Sequence, residues 1–297
     1  MRILFVAPSR IGDAVLSTGL IDHLLSRHAA ARITVVAGPI SADVFARMPN
    51  LERLVVVKKH RYDLHWLRLW GMAAGRRWDL VVDIRGSGLA WFLLARRRAI
   101  MRIRNGPKIA QLGRILGLDP PPLPVAWTAA EDRARAAGLL PPGPPIIALG
   151  PTANWTGKIW PPERFAALFR RLAGGPLRPA RAAILAGPGE AERALAAPLL
   201  AALPEAIDLA GRLTLPEAAA CLARAALFVG NDSGLMHIAA AAGTPTIGLF
   251  GPTPADEYAP AGRAAMAVRS PTARMEDLSV EDAAAAALAL LRLPSAA

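Results

Sequence analysis

The chain has 297 residues, a formal net charge of +12, 53% hydrophobic residues and 20% charged residues. This composition is typical of a well-packed protein with one large or two ordinary domains, and it excludes a disordered chain. The single cysteine, Cys221, excludes an intramolecular disulfide and is typical of a reducing compartment.

The excess positive charge is confined to the first half of the sequence. Residues 1–145 carry 22 Lys and Arg against 10 Asp and Glu, whereas residues 146–297 carry 13 of each class. A field of one sign attracts polyanions, namely nucleic acid, anionic lipid headgroups or a phosphorylated substrate. A compositional preference for arginine is the alternative, but it does not account for a neutral second half.

The first half alternates apolar runs with segments of helical spacing. Helices are predicted over residues 13–26 and LAWFLLARRR (89–98). The N-terminal run turns polar too early for a secretion signal and predicts a strand. This alternation predicts βαβ units around a mostly parallel sheet. Strands are predicted in four β-branched or apolar runs: ILFVAP (3–8), RITVVAG (32–38), LERLVVVKK (51–59) and WDLVVDIRG (78–86).

Proline-rich segments mark the middle of the chain. They cover 119–124 and 139–145, flank a short helical piece and predict a semi-rigid connector. A second alternation of strands and helices then runs from PIIALGP (145–151) to SVEDAAAAALALLRL (279–293). Ser279 is predicted to cap the last helix.

The two series predict an α/β protein with two Rossmann-like domains. We place an N-terminal domain at 1–143 and a C-terminal domain at 144–297. Open parallel sheets bind ligands at the carboxyl ends of their strands, and two such sheets facing each other form an interdomain cleft. The longest uncharged stretch, 233–255, is interrupted by glycines and prolines and does not predict a transmembrane helix.

One loop, GNDSGLMH, lies between a predicted strand and a predicted helix and begins at Gly230. The first N–H groups of a helix are unpaired and lie at its positive end, so they suit a phosphate. Ser233 and His237 share a helix face and could both donate to a diphosphate, while Gly230 and Gly234 let a ligand approach the backbone. Ionised Asp232 cannot donate, so we expect it to cap the helix or to accept from a ligand hydroxyl. A capped helix with a satisfied histidine is the alternative.

Three further loops follow predicted strands in the same way. Asp13 lies where the first strand gives way to a helix and could take a proton from an acceptor hydroxyl, or serve as an ordinary cap. Lys158 could neutralise a departing diphosphate, or simply be solvated. Glu190 and Glu192 begin another predicted helix, where they could accept from ribose hydroxyls or only favour the helix dipole.

Several site patterns are missing from the sequence. No His/Cys or His/Glu group has the spacing of metal ligands, so no metal site is predicted. The nucleophile elbow G-x-S-x-G and the phosphate loop G-x-x-x-x-G-K-[ST] are also missing. Because the dinucleotide fingerprint G-x-G-x-x-G is missing as well, an NAD-dependent oxidoreductase is disfavoured.

Four stretches together resemble glycosyltransferase family 9, the heptosyltransferases of lipopolysaccharide core synthesis. They are APSRIGDAVLSTGL, DLVVDIRG, GPTANWTGKIWPPERF and GNDSGLMHIAAAAGTPTIGLFGPT. The resemblance runs from the N-terminus to about Tyr258 and is most specific over 228–253. It implies a GT-B fold whose C-terminal domain binds a nucleotide sugar, commonly ADP-heptose, and whose N-terminal domain binds a lipid-linked acceptor. The implied reaction inverts the configuration at the anomeric carbon of the sugar and uses no metal or other cofactor.

The family pattern also implies roles for individual residues. Asp13, the aspartate of the G-D pair, is the implied general base, and Lys158 before the W-P pair contacts the diphosphate. The ribose contact falls on Glu190 or Glu192. The implied diphosphate-binding loop consists of Asp232, Ser233, Gly234 and His237. From the basic first half we expect acceptor contacts at Arg10, Lys58, Lys59, Arg61 and Arg85.

A basic first domain suits an acidic, lipid-linked acceptor at a membrane surface. We therefore expect a monomeric cytoplasmic protein, peripheral at the inner face of the bacterial inner membrane, with no nucleic-acid partner. The chain is short for the family, and its middle, roughly 40–120, has no acceptor motif that we can match. The same fold with a different nucleotide-sugar donor is therefore the first alternative. A non-catalytic protein that binds anionic ligands is the second, and Asp13 together with Lys158 argues against it.

Overall fold

The computed structural model describes residues 1–58, 65–102, 105–175 and 177–292. The chain divides into two compact units, Met1–Trp127 and Thr128–Ala297. Each unit contains one parallel sheet, as predicted. In the described ranges, no helix is both long enough and apolar enough to cross a membrane.

The first unit is built on a five-stranded parallel sheet. Its helices are α1 (Ile11–Arg27), α2 (His65–Ala73) and α3 (Lys108–Ile115). Its strands are β1 (Arg2–Val6), β2 (Arg32–Ala37), β3 (Leu51–Val56), β4 (Trp78–Asp83) and β5 (Ala95–Ile100). The strands lie in the order β3-β2-β1-β4-β5. The four predicted strands and the first predicted helix are confirmed.

β1 is the central strand, and its residues Ile3, Leu4, Phe5 and Val6 are buried, as expected for a parallel sheet covered on both faces. Part of the proline-rich region packs on α1. Val125 N donates to Thr18 Oγ1 at 2.8 Å. The segment that was predicted only as a connector therefore also packs within this unit.

The predicted helix over LAWFLLARRR is wrong. Only Leu89–Phe92 forms a 3-10 turn, and the chain then continues as β5, whose Ala95 pairs with Trp78 of β4. β5 lies at the edge of the sheet, and the arginines at its centre are exposed. Because most of this edge strand is exposed to solvent, its side chains need not alternate between apolar and polar. That alternation is the pattern by which strands are recognised in a sequence.

The second unit is built on a six-stranded parallel sheet. Its strands are β6 (Ile146–Gly150), β7 (Arg181–Ile184), β8 (Ile207–Asp208), β9 (Leu227–Asn231), β10 (Thr246–Phe250) and β11 (Ala265–Arg269), in the order β11-β10-β9-β6-β7-β8. Its helices are α4 (Ala130–Leu139), α5 (Pro162–Ala173), α6 (Glu190–Ala202), α7 (Leu215–Leu222), α8 (Gly234–Ala241), α9 (Ala255–Tyr258) and α10 (Val280–Leu291). β11 was not predicted.

The core of the second unit includes a fully buried tryptophan. The Trp160 ring meets Phe165 edge to face at 5.0 Å between centroids, and its Nε1 donates to the Leu278 carbonyl at 2.9 Å. This bond satisfies the only polar atom of a ring that is otherwise in an apolar setting. Ser279 follows Leu278 and caps α10, because its Oγ accepts from Asp282 N at 3.0 Å. The predicted cap is confirmed.

The boundary between the units lies earlier than the predicted division after residue 143. That division assigned α4 to the first domain, whereas α4 belongs to the second unit. Arg135 of α4 pairs with Glu217 of α7 at 2.9 Å, and Arg224 Nε donates to the Leu140 carbonyl at 2.9 Å. Ala136 and Leu140 are buried. The prolines after α4 therefore lie inside the second unit.

Candidate active site

Each sheet has one point where the strand order reverses, and open parallel sheets bind ligands at such a point. In the first sheet the reversal falls between β1 and β4, and in the second between β6 and β9. Asp13 follows β1, whereas the loops after β6 and β9 carry Lys158 and Asp232. Asp13 in the first unit, and Lys158 and Asp232 in the second, thus lie at the reversal point of their own sheet.

In the second unit, the predicted lysine and aspartate form an ion pair. Lys158 Nζ lies 2.6 Å from Asp232 Oδ2, and their side chains are 18% and 10% exposed. A charge-assisted bond of this length in a mostly buried place holds the ammonium group in one position. Asp232 is not the helix cap, because Ser233 occupies the N-cap of α8. That part of the prediction for Asp232 is wrong, while the contact to a ligand hydroxyl stays a prediction.

Asn231 connects the two loops at this point and was not predicted as a site residue. It is fully buried, its Oδ1 accepts from Trp160 N at 3.0 Å, and its Nδ2 donates to the Pro151 carbonyl at 2.8 Å. Both ends of the Lys158 loop are therefore fixed to the end of β9. An uncharged polar residue at the end of a buried strand was the signal available in the sequence.

The start of α8 presents the predicted phosphate donors. Ser233 makes no side-chain capping bond, and its Oγ is buried without a hydrogen-bond partner among the described residues. His237 lies in the first turn of α8 and is 4% exposed. The first N–H groups of α8 also lie here, together with the positive end of the helix dipole. This arrangement suits an anion.

Gly230 has a packing role. It lies within β9, and a Cβ added there would come 2.5 Å from Cζ of Phe228 and 3.1 Å from the Gly150 carbonyl on β6. The absence of a side chain lets the Phe228 ring pack across the sheet. We therefore explain Gly230 by close packing and no longer by the approach of a ligand to the backbone.

The two candidate ribose contacts differ in their surroundings. Glu192 Oε2 accepts from Gly187 N at 3.3 Å, so this carboxylate turns back onto its own loop. Glu190 is the first residue of α6 and is exposed. Of the two residues, Glu190 is therefore better placed to accept a hydrogen bond from a ligand hydroxyl.

In the first unit, Asp13 lies in the first turn of α1, after the N-cap residue Arg10. Its Oδ1 is 3.8 Å from Lys108 Nζ at the start of α3, and the two side chains are 20% and 18% exposed. The ion pair positions a mostly buried carboxylate that still reaches solvent. Sequence reasoning missed this partner, because Lys108 lies far along the chain and belongs to no motif.

A buried aspartate shapes the loop that carries Arg85. Asp83 ends β4, is fully buried, and accepts from the N–H groups of Arg85, Gly86 and Ser87 at 2.9–3.1 Å. The Ser87 hydroxyl donates to the same carboxylate. The Arg85 guanidinium lies over the Trp66 ring at 5.3 Å from its centroid. Asp83 thus fixes the backbone from which a predicted acceptor residue projects.

The remaining predicted acceptor residues are at the surface or outside the described part. Arg10 and Lys58 are exposed. Lys59 and Arg61 lie outside the described residues. Among the residues that the structure does describe, no group of three or more His, Cys, Asp or Glu side chains is placed to hold a metal ion.

Comparison with known proteins identifies the family. The model of glycosyltransferase family 9 (heptosyltransferase) matches residues 106–287, more than half of the chain. The chain belongs to glycosyltransferase family 9. The predicted resemblance is confirmed.

Relatives of this family 9 protein match nearly its whole length. Lipopolysaccharide heptosyltransferase 2 of Salmonella typhimurium strain LT2 is 25% identical over 318 residues, covering 91% of this chain and 88% of the relative. A solved family 9 glycosyl transferase of Veillonella parvula has a TM-score of 0.83 at 21% identity and covers 98% of this chain and 97% of its own. The E. coli ADP-heptose lps heptosyltransferase II has a TM-score of 0.76 at 20% identity and covers 98% of both chains. The predicted GT-B fold with two Rossmann-like domains is confirmed.

The family 9 match covers one of the two charged sites. Lys158, Glu190 and the loop from Asp232 to His237 lie inside the matched range, whereas Asp13 lies before it. The roles assigned to individual residues stay predictions.

Proposed function

We propose that this family 9 glycosyltransferase transfers a heptose from ADP-heptose to the lipopolysaccharide core or to a similar anionic, lipid-linked glycan. Family membership supports heptosyl transfer, and the names of the Salmonella and E. coli relatives support this donor and acceptor. The observation that carries the proposal is the anion-binding arrangement in the second unit. There the Lys158 ammonium, the Ser233 Oγ, which has no hydrogen-bond partner in the described part of the chain, and the start of α8 lie at the reversal point of the sheet.

The proposed reaction inverts the anomeric carbon. The Asp13 carboxylate takes the proton from the acceptor hydroxyl, and the acceptor oxygen forms a new bond to the anomeric carbon. The bond from that carbon to the diphosphate oxygen breaks, and its electron pair leaves with ADP. Lys158, the Ser233 hydroxyl, His237 and the N–H groups of α8 stabilise the charge that develops on the diphosphate. No metal or other cofactor takes part in the proposed reaction.

We assign the donor ribose to Glu190. Its carboxylate is exposed at the start of α6, whereas Glu192 already accepts from Gly187 N. The acceptor's acidic groups are assigned to the basic first unit, including Arg10, Lys58 and Arg85. A lipid-linked acceptor supports a position at the cytoplasmic face of the bacterial inner membrane, and we propose that the protein acts there as a monomer.

A thermal-shift screen against nucleotide diphosphates and nucleotide sugars tests the donor. We expect ADP to raise the melting temperature more than UDP or GDP, and Lys158→Ala to reduce the ADP effect. Glu190→Ala should also reduce it, while Glu192→Ala serves as its matched control. Stabilisation by UDP or GDP alone would replace ADP-heptose by another donor, and no response to any nucleotide would overturn the proposed function.

A further inference from the structure

A group of large apolar side chains is exposed on the first unit. Trp70 of α2 is 45% exposed, and Trp91, Phe92 and Leu94 around the 3-10 turn are 58%, 74% and 62% exposed. Trp70 Nε1 donates to the Phe92 carbonyl at 3.0 Å, so α2 and the turn form one surface. Clustered exposed apolar side chains of this size mark an interaction surface.

The backbone of this turn is already hydrogen-bonded from within. The Arg98 guanidinium donates to the carbonyls of Ala90 and Leu93 at 2.7 Å and of Ala95 at 3.1 Å. The Trp70 indole N–H donates to the Phe92 carbonyl, so both the N–H and the carbonyl are hydrogen-bonded. An unpaired backbone carbonyl is costly in an apolar medium. These carbonyls and the indole N–H therefore stay hydrogen-bonded when the turn moves from water into an apolar medium.

Arginines surround the exposed rings. The guanidinium groups of Arg98 and Arg102 lie over the Trp91 ring, at 6.0 Å and 5.8 Å from its centroid. Arg96 and Arg97 on β5 are exposed as well. The aromatic–arginine patch consists of Trp70, Trp91, Phe92, Leu94, Arg98 and Arg102.

We infer that the aromatic–arginine patch docks the protein on an anionic lipid surface, with Phe92 and Leu94 entering the apolar boundary of the headgroup layer. Tryptophan rings sit at this boundary in membrane proteins, and arginines near the surface attract anionic headgroups. Charge complementarity decides between occupants. A second copy of the chain would bring an equally basic patch against this one, which costs free energy. A nucleic acid would pair with the arginines and stack on the rings but gains little from Leu94.

This inference deepens the proposed function, because a lipid-linked acceptor lies at such a surface. The two are separable by experiment, since docking needs neither nucleotide nor glycan. Vesicle binding is therefore measured without either, and the ADP thermal shift is recorded for every variant.

The first test removes the apolar contribution. The full chain is sedimented with vesicles of phosphatidylcholine alone and of phosphatidylcholine with phosphatidylglycerol. We expect binding to the anionic vesicles, weakened about tenfold or more by Phe92→Ser with Leu94→Ser. The matched control is Ile40→Ser with Leu123→Ser, two other exposed apolar side chains of this unit, which should bind like the wild type.

The second test removes charge from the patch and its flank. Arg96→Ser with Arg102→Ser should weaken binding to anionic vesicles by up to about 25-fold, since Arg96 shares the strand face of Arg98 and each arginine near such a surface contributes about a fivefold change. Arg27→Ser with Arg32→Ser removes the same charge elsewhere and should have a smaller effect. Arg98 is left unchanged because it holds the turn.

Wild-type-like vesicle binding by the Phe92/Leu94 variant would overturn the inference. Equal binding to neutral and anionic vesicles would overturn it too, as would a patch variant that changes only the oligomeric state or only the binding of single-stranded nucleic acid. If wild-type protein docks as expected but no nucleotide stabilises it, the proposed function fails while the patch stands.

Discussion

Asp13 is the residue on which the proposed chemistry of the first unit depends. We expect Asp13→Ala to lower turnover at least about a hundredfold, in line with loss of a general base, while ADP binding stays unchanged. The measurement pairs a coupled assay of ADP release with calorimetry. Lys108→Met is the informative comparison, because it keeps the carboxylate but removes its ion-pair partner at 3.8 Å, and should lower turnover less. Near-normal turnover of Asp13→Ala would refute the assigned role.

The substitution Ser233→Ala is expected to weaken ligand binding without destabilising the fold. The Ser233 Oγ is buried without a partner among the described residues, so Ser233→Ala should not lower the free energy of unfolding and should raise it by up to about 1–3 kcal/mol, the cost of an unsatisfied buried hydroxyl. A hydrogen bond to a charged group contributes about 1.5–3 kcal/mol, so ADP affinity should fall about tenfold or more. Calorimetry measures the affinity, and Ser233→Thr, which keeps the hydroxyl, should retain most of it. A destabilised protein with unchanged ADP affinity would make Ser233 a structural residue only.

At the scale of single elements, Ser279 gives the opposite expectation from the same residue type. Its Oγ accepts from Asp282 N and donates to the Asp282 carboxylate at 2.6 Å, and so caps α10. Ser279→Ala should lower the free energy of unfolding by about 1 kcal/mol and leave ADP affinity unchanged. Denaturant unfolding checks this, with Ser279→Thr as the control that keeps a cap. A loss of ADP affinity comparable to that of Ser233→Ala would show that the two serines are not functionally distinct.

The sequence sufficed where the signal was local. Strand runs such as RITVVAG and the cap at Ser279 depend on residues a few positions apart, and the structure confirms both. The turn and edge strand at 89–100 were misread because helical spacing of apolar residues appeared in a segment whose strand pairs with β4. Pairing of that kind is a long-range property, which a window of neighbouring residues does not contain.

The individual residues of the candidate site were predictable from the sequence, but the contacts between them were not. Lys158 and Asp232 were each assigned to the diphosphate, but their 2.6 Å contact follows from β6 and β9 being neighbours in the sheet. The same holds for Asn231, whose two bonds cross between those strands' loops. Strand order brings these residues together, and strand order was not evident from the alternation of elements.

At the scale of the whole molecule, the lone cysteine predicts how stability responds to alkaline pH. Burial, and then the nearby Glu217 carboxylate, raise the pKa of the Cys221 thiol from 9.0 to about 11. Between these values the unfolded chain loses the proton while the folded chain keeps it, so stability falls as pH rises, by at most about 1.4 kcal/mol per pH unit. Denaturant unfolding from pH 7 to 11 should show this fall relative to Cys221→Ala. A constant difference between the two proteins over that range would contradict it.

The boundary between the two units predicts which fragment folds. Residues 128–297 contain α4, whose Ala136 and Leu140 are buried and whose Arg135 pairs with Glu217. A fragment starting at 144 would lack α4 and expose the face of α7 that it covers. We expect fragment 128–297 to unfold cooperatively and to be stabilised by ADP, because it carries Lys158 and the loop from Asp232 to His237. Fragment 144–297 should melt at a lower temperature, since it loses these buried contacts. Circular dichroism melts with and without ADP make the comparison, and equal melting temperatures would place the boundary at 143 after all.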